Sequence, residues 1–311
     1  MTTDRPLDVQ SVSPTPMPAT IGALVIETAQ VLRAGARDST LDAKREARDI
    51  IAALHEVPRF WPLTNAEALV DDAMRARALA AAVKRARGAP LAYAVGRAAF
   101  RHLTLDVDER VLIPRPETEQ LVELVLERMH DARSGGVAVD VGTGSGAIAL
   151  ALATEARFDR IVGTDVSLDA LAVARANARL LAASGALRAP VDLLHGSVLW
   201  PVRDVGLRAR VIVSNPPYIA FDEAAALPQS VRDWEPPIAL FSGGEGLEIT
   251  AQLVREAAQV LEPGGLLALE VDARRASLVA ELVAGHASYR EVSVQLDLAG
   301  CERFVLATRA R

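Results

Sequence analysis

From residue 137 onward the chain alternates short apolar runs with Ala- and Leu-rich stretches of helical length. Residues 137–141, 160–164, 191–195, 211–214 and 266–271 read as buried strands bounded by turn or polar residues. Between them, 147–155, 168–184 and 247–261 read as helices. Strand and helix in alternation imply a parallel sheet with crossover helices. Residues 289–297 and 303–308, joined by Leu298-Ala299-Gly300, close the chain as an antiparallel hairpin.

The part before this sheet has a different texture. Residues 1–20 hold Pro6, Pro14, Pro16 and Pro18 with Asp4 and Asp8 and no apolar core, which predicts a disordered tail and not a signal peptide. Ile21, Leu24, Val25, Thr28 and Leu32 fall at helical spacing, and Gly35 can end the turn. Ala47, Ile50, Ile51 and Leu54 repeat the pattern before Pro58, and Leu69, Ala73, Ala76, Ala80 and Val83 repeat it before Gly88. A small helical bundle over 21–88 is expected, then a β-hairpin linker over 89–110 and the sheet domain over 111–311. The 311 residues suffice for one large and one small domain.

Several classes are disfavoured. No apolar stretch approaches the roughly 18–20 residues of a membrane span, so no membrane partner is expected. The single cysteine, Cys301, excludes an internal disulfide and a thiolate cluster and points to the cytoplasm. His55, His102, His130, His195 and His286 lie without ligand spacing, so no metal site is expected. A net charge of −6 does not suggest a nucleic-acid binder. Locally, Arg75, Arg77, Lys84, Arg85, Arg87, Arg97 and Arg101 occur with no acidic residue between the first and last. That stretch is either a solvated face or a docking patch.

Two motifs carry chemistry. The first strand runs into Asp140-Val141-Gly142-Thr143-Gly144-Ser145-Gly146, glycines that let backbone approach a ligand at a helix start. Asp165 ends the second strand, where a carboxylate can take both ribose hydroxyls of NAD or of S-adenosylmethionine. Gly142-x-Gly144-x-x-Ala147 formally satisfies the dinucleotide fingerprint as well. Three features favour S-adenosylmethionine: Asp140 two residues before Gly142, the lack of a dehydrogenase Tyr-x-x-x-Lys or His-Asp pairing, and the second motif.

That motif is Asn215-Pro216-Pro217-Tyr218, at the end of a later strand. A planar amide or amino nitrogen is a poor nucleophile because its lone pair is delocalised. The Asn215 side-chain oxygen and a nearby backbone carbonyl can accept its N–H bonds and turn the lone pair toward an electrophile. Pro216 and Pro217 hold those acceptors stiffly, and the Tyr218 ring offers a flat stacking surface.

Leu112-Ile113-Pro114-Arg115-Pro116-Glu117-Thr118-Glu119, the glycine turn and Val213-Ser214-Asn215-Pro216-Pro217-Tyr218-Ile219 together resemble the bacterial protein-(glutamine-N5) methyltransferases of peptide chain release factors. Gly88-x-Pro90-x-x-Tyr93-x-x-Gly96-x-x-x-Phe100, 231–236 and Asp297-Leu298-Ala299-Gly300-x-x-Arg303-Phe304-Val305 extend the likeness from about residue 21 to the end. The resemblance implies a seven-stranded Rossmann-like methyltransferase domain preceded by a helical domain that docks the factor. It implies methyl transfer from S-adenosylmethionine to the glutamine of a class 1 factor's Gly-Gly-Gln motif, with no direct nucleic-acid binding.

By position, the resemblance puts cofactor contacts at Gly142, Thr143, Gly144, Ser145, Gly146, Asp165, Val198 and Asn215. It gives the glutamine amide to Asn215 and the Pro216 carbonyl, with Pro217 and Tyr218 beside them, and has 113–118 close over the methionine end. Ser197 stands where the family often has Asp, and Asp272 and Arg275 where it has Gly and Gln. Trp61, Trp200 and Trp234 read as packing anchors, with Trp234 placed to line the substrate cleft. The competing readings are an adenine-N6 nucleic-acid methyltransferase, which shares Asn-Pro-Pro-Tyr, and a cofactor-binding partner protein without turnover.

Overall fold

The structure, a computed structural model, describes residues 19–35, 42–130 and 135–311. They form two compact units that divide between Gly88 and Ala89.

The smaller unit is built on the helices Ile21–Gly35, Ala43–His55 and Asp72–Ala86, with one further turn at Trp61–Thr64. Asp42 and Asp71 precede two of them and cap their free N–H groups, accepting from Arg45 N at 3.1 Å and Met74 N at 2.6 Å. Leu24, Leu32, Ile50, Ile51, Ala78 and Ala82 are fully buried and make its core. Strand β1 (Ala19–Thr20) pairs antiparallel with β2 (Leu69–Val70). The expected tail therefore stops short: 19 and 20 are paired, and 1–18 lie outside the described residues. Leu69, expected on the third helix, is in β2, because the cap at Asp71 starts the helix after it.

The larger unit opens with a helical turn, Leu91–Val95, where alternation predicted strand. Pro90 sets up its start and Gly96, at φ 76°, ends it in the left-handed region. The hairpin follows as β3 (Arg97–Phe100) and β4 (Leu103–Asp106). It is no spacer. Phe100, Leu103 and Leu105 sit in the main core of this unit. Arg101 bonds Glu155 at 2.7 Å and Glu123 at 2.6 Å, and the Asn177 amide brackets the Asp106 backbone at 2.8 and 3.0 Å.

Seven strands make the main sheet: β5 (Val137–Val141), β6 (Arg160–Asp165), β7 (Val191–His195), β8 (Ala209–Ser214), β9 (Leu261–Glu270), β10 (Tyr289–Leu296) and β11 (Glu302–Arg309). Their order is β10-β11-β9-β8-β5-β6-β7, and β11 is antiparallel to both neighbours. β8 begins two residues earlier and β9 five residues earlier than the apolar runs suggest. Period-2 alternation divides the core between two faces. Ala138, Ile161, Val211, Val213 and Ala268 face the helices Pro116–His130 and Ala147–Glu155. Val139, Val162, Ile212, Leu267 and Leu269 face Glu248–Val260 and Ala276–Ala284. With β6 on one side of β5 and β8 on the other, the strand order reverses at β5, and a crevice opens at the strands' carboxyl ends.

Candidate functional site

A cavity of about 290 Å³ lies in that crevice, and a second of about 200 Å³ adjoins it. Gly142, Gly144, Asp165, Val198 and Asn215 line the first. Pro216, Pro217 and Tyr218 line the second, which shares Asn215, Pro217, Leu112 and Ala239 with the first.

The turn after β5 is shaped by its glycines. Gly142 and Gly144 have φ of 73° and 55°, and a Cβ at either would meet no atom within 4 Å, so both leave their flank open. Thr143, Ser145 and Gly146, expected to touch cofactor, do not line the cavity; they hold the turn from behind. Thr143 Oγ1 donates to Asp140 at 2.7 Å, the Ser145 carbonyl accepts from Asn177 at 2.9 Å, and Gly146 N bonds the Thr143 carbonyl at 2.8 Å. Asp140 is buried, which pushes its carboxyl up to about 7 against the bonds from Thr143 and Ala149 N.

Asp165 ends β6 with each carboxylate oxygen held by backbone, Gly144 N at 2.9 Å and Ser167 N at 2.8 Å. Burial raises its pKa above the ordinary carboxylate value despite those bonds. Each oxygen keeps lone-pair capacity for a ligand hydroxyl. Val198 has φ 47°, a left-handed conformation that a β-branched residue rarely adopts. Its carbonyl accepts from Thr164 Oγ1 at 2.8 Å, which fastens the strained residue to the end of β6 at the cavity wall. Ser197 lines the cavity beside it.

Asn215 follows β8, whose Ser214 hydroxyl ties it to the Val141 carbonyl at 2.7 Å. Its Nδ2 donates to Thr118 Oγ1 at 3.0 Å, and that hydroxyl donates to Glu270 Oε2 at 2.7 Å. Glu270 is buried at the end of β9, and desolvation pushes its carboxyl up to about 7. Sequence reasoning placed Thr118 only in the closing segment 113–118 and gave Glu270 no role. Pro116 as first helical residue, with Glu117 and Glu119 in the first turn and Leu121, Val122 and Val125 inward, signals the helix that carries Thr118.

One ion pair reaches the second cavity through Arg115, and a second network lies in the segment after Tyr218. Arg115 pairs with buried Glu235, joining the two flanking segments. Arg275, with its side chain only 11% exposed, bonds Glu223 at 3.0 Å, the Glu245 carbonyl at 2.7 Å and lies 3.6 Å from Asp272; Arg274 reaches Glu223 and Asp272 at 2.7 and 2.9 Å. These charges tie the segment after Tyr218 to the end of β9.

Other expectations shift. Arg110, Val111 and Leu112 line the first cavity where 113–118 were expected to close it. Trp234 packs near Tyr93 and Val111 and lines neither cavity. Trp200 is 57% exposed, so it anchors no core. In the basic stretch Arg75 pairs with Glu27, Arg85 with Glu46, Arg97 with Asp106 and Arg101 with Glu155.

A sheet of this order, with a glycine turn, an acidic strand end and an Asn-Pro-Pro-Tyr segment around one crevice, defines an S-adenosylmethionine-dependent methyltransferase. The open glycine cradle and the Asp165 carboxylate fit that cofactor. The model of the methyltransferase small domain family matches residues 117–229. The catalytic domain of hMettl16, solved in complex with MAT2A 3′UTR hairpin 6, shares the fold at a TM-score of 0.51 and 17% identity, over 77% of this chain and 82% of that one. The release factor glutamine methyltransferase of Moorella thermoacetica is 44% identical over 73% of this chain and 77% of its own length. That of Deinococcus radiodurans is 38% identical over 91% and 96%. The chain belongs to the release factor glutamine methyltransferase family.

Proposed function

We propose that the protein transfers the methyl group of S-adenosylmethionine to the side-chain amide nitrogen (N5) of the glutamine in the Gly-Gly-Gln motif of class 1 peptide chain release factors, supporting translation termination. The observation that carries the site assignment is the place of Asn215, on the wall common to both cavities. The first cavity suits the cofactor and the second the glutamine.

When bound, S-adenosylmethionine supplies an already activated sulfonium methyl. The protein's task is then positioning and desolvation, and no strong base is needed. Gly142, Gly144, Asp165 and Val198 hold the cofactor. Asn215 Oδ1 and the Pro216 carbonyl accept the glutamine's N–H bonds, while Pro217 and Tyr218 pack on the flat amide. The nitrogen sheds its extra proton after transfer. Thr143, Ser145 and Gly146 act by holding the turn's shape.

Residues 21–88 serve as the surface that docks the factor. A protein partner accords with the net charge of −6 and with four cations of the basic stretch being paired to carboxylates. An adenine-N6 enzyme would instead need a basic groove. The cytoplasm, where release factors work and where a single free cysteine is at home, is the proposed compartment.

Mass spectrometry of release factors incubated with protein and cofactor tests the reading. One added methyl on the Gly-Gly-Gln glutamine is expected from the wild type. Asn215→Ala should bind cofactor normally by calorimetry and lose at least about a thousandfold in transfer, a fraction of the roughly 7–11 kcal/mol that positioning can contribute. A variant keeping more than about a tenth of the rate removes Asn215 from the centre of the reaction.

A further inference from the structure

The chain Asn215–Thr118–Glu270 determines which end of the Asn215 amide meets the substrate. Thr118 has a single hydroxyl proton, and it points at Glu270 Oε2, 2.7 Å away. Above about pH 7, where Glu270 is ionised, its carboxylate only accepts, so that proton is committed. Thr118 Oγ1 then has only lone pairs to offer its other neighbour. Asn215, at 3.0 Å, meets them with Nδ2, and Oδ1 is the end left for the cavities it lines. Thr118 is 5% and Glu270 1% exposed, so water does not relieve a mismatch here.

We propose that Glu270 and Thr118 are positioning residues that, through Asn215, make the site select a carboxamide over a carboxylate. This rests on the reading of a glutamine side chain as the methyl acceptor. A carboxamide brings two N–H donors, and an outward Oδ1 accepts one of them. A glutamate brings oxygen acceptors alone, which face Oδ1 lone pair to lone pair. Were Asn215 reversed, the preference would reverse with it: Nδ2 would donate to a carboxylate and leave the glutamine N–H unmatched. Selection by buried hydrogen-bonding groups is steep because the wrong partner leaves a desolvated group unpaired. Asn215 alone has no such preference, since its two ends differ little in shape. Its fixed orientation supplies it.

The test uses the full-length protein and two forms of an intact release factor, one with the native Gly-Gly-Gln and one with Gly-Gly-Glu as a competitor. Thr118→Val keeps the side-chain shape and removes the hydrogen bonds; Thr118→Ser keeps them. For the wild type, the inhibition constant of the Glu form should exceed the KM of the Gln form by about tenfold or more. In Thr118→Val kcat should fall roughly ten- to a hundredfold and that ratio should shrink at least about fivefold, with cofactor affinity unchanged. Thr118→Ser should restore both to within about threefold of wild type. Thr118→Ala is read the same way if the valine variant does not fold. A Thr118→Val protein that loses rate but keeps the full Gln-over-Glu ratio overturns the inference and leaves the proposed function standing. A wild type that methylates no release factor overturns the proposed function, and the inference with it.

Discussion

Glu270 should make the protein less stable as the solution becomes more alkaline, and the size follows from its burial. Its carboxyl is 1% exposed, with Thr118 donating to it, Arg303 and Arg115 favouring its charge and Glu117 opposing it. Desolvation dominates and lifts its pKa from 4.5 in a solvated chain to about 7 in the fold. Below pH 4.5 both states hold the proton, so Glu270 gives no pH dependence there. Between about 4.5 and 7 the folded protein keeps a proton that the unfolded chain releases, so stability falls as pH rises. The gap of roughly 2.5 pH units, at about 1.36 kcal/mol each, amounts to about 3 kcal/mol lost by pH 8. Asp140, raised from 3.8 to about 7 by the same cause, adds to the wild-type slope. Glu270→Gln keeps an oxygen for Thr118 and removes only the Glu270 share. Urea unfolding at pH 5 and pH 8, read from Trp200 and Trp234 in a Trp61→Phe background, isolates the larger unit. The Gln variant should lose roughly 2–3 kcal/mol less than its parent between those pH values. Equal losses in the two proteins would refute the argument that buried charge at Glu270 governs this window.

Phe100→Ala should destabilise the larger unit by about 3–5 kcal/mol, since the ring is fully buried in the main core; an unchanged unfolding midpoint would mean the hairpin is a spacer after all. Asp165→Ala should weaken S-adenosylmethionine about ten- to a hundredfold by calorimetry through lost charge-assisted bonds, partly because the Gly144 and Ser167 amides also lose their acceptor. Equal affinities would take the ribose away from the end of β6, and tight NAD binding would overturn the cofactor assignment.

Much of the sheet is legible in the sequence because a strand buried on both faces is a near-continuous apolar run, as at Val137–Val141 and Ala209–Ser214. The elements that escape are those whose cause is local or tertiary. Leu91–Val95 is only five residues, too short for a period, and its helical turn is set by Pro90 and Gly96. β9 starts at Leu261 because it pairs with Ala209, a long-range registration no window contains. In the site, Gly142, Asp165, Asn215 and Tyr218 announce themselves by residue type. Thr118 and Glu270 do not: 152 residues separate them, and only the packing of Pro116–His130 beside β9 joins them. Thr143 and Ser145, in the same motif, are buried behind the turn, an alternation that residue type alone does not announce.

Asp272 and Arg275, standing where the resemblance expects Gly and Gln, are coupled to each other and not independent. Arg275 is nearly enclosed and is balanced by Glu223 and Asp272. Restoring a glutamine there alone strips Glu223 of its inner cation and leaves Asp272 to the exposed Arg274; restoring the glycine alone leaves Arg275 leaning on a single carboxylate. Each single reversion passes through a mismatched intermediate, so the route back to the common pattern requires paired substitutions. In lineages that share this arrangement, the identities at 223, 272 and 275 should be transmitted together.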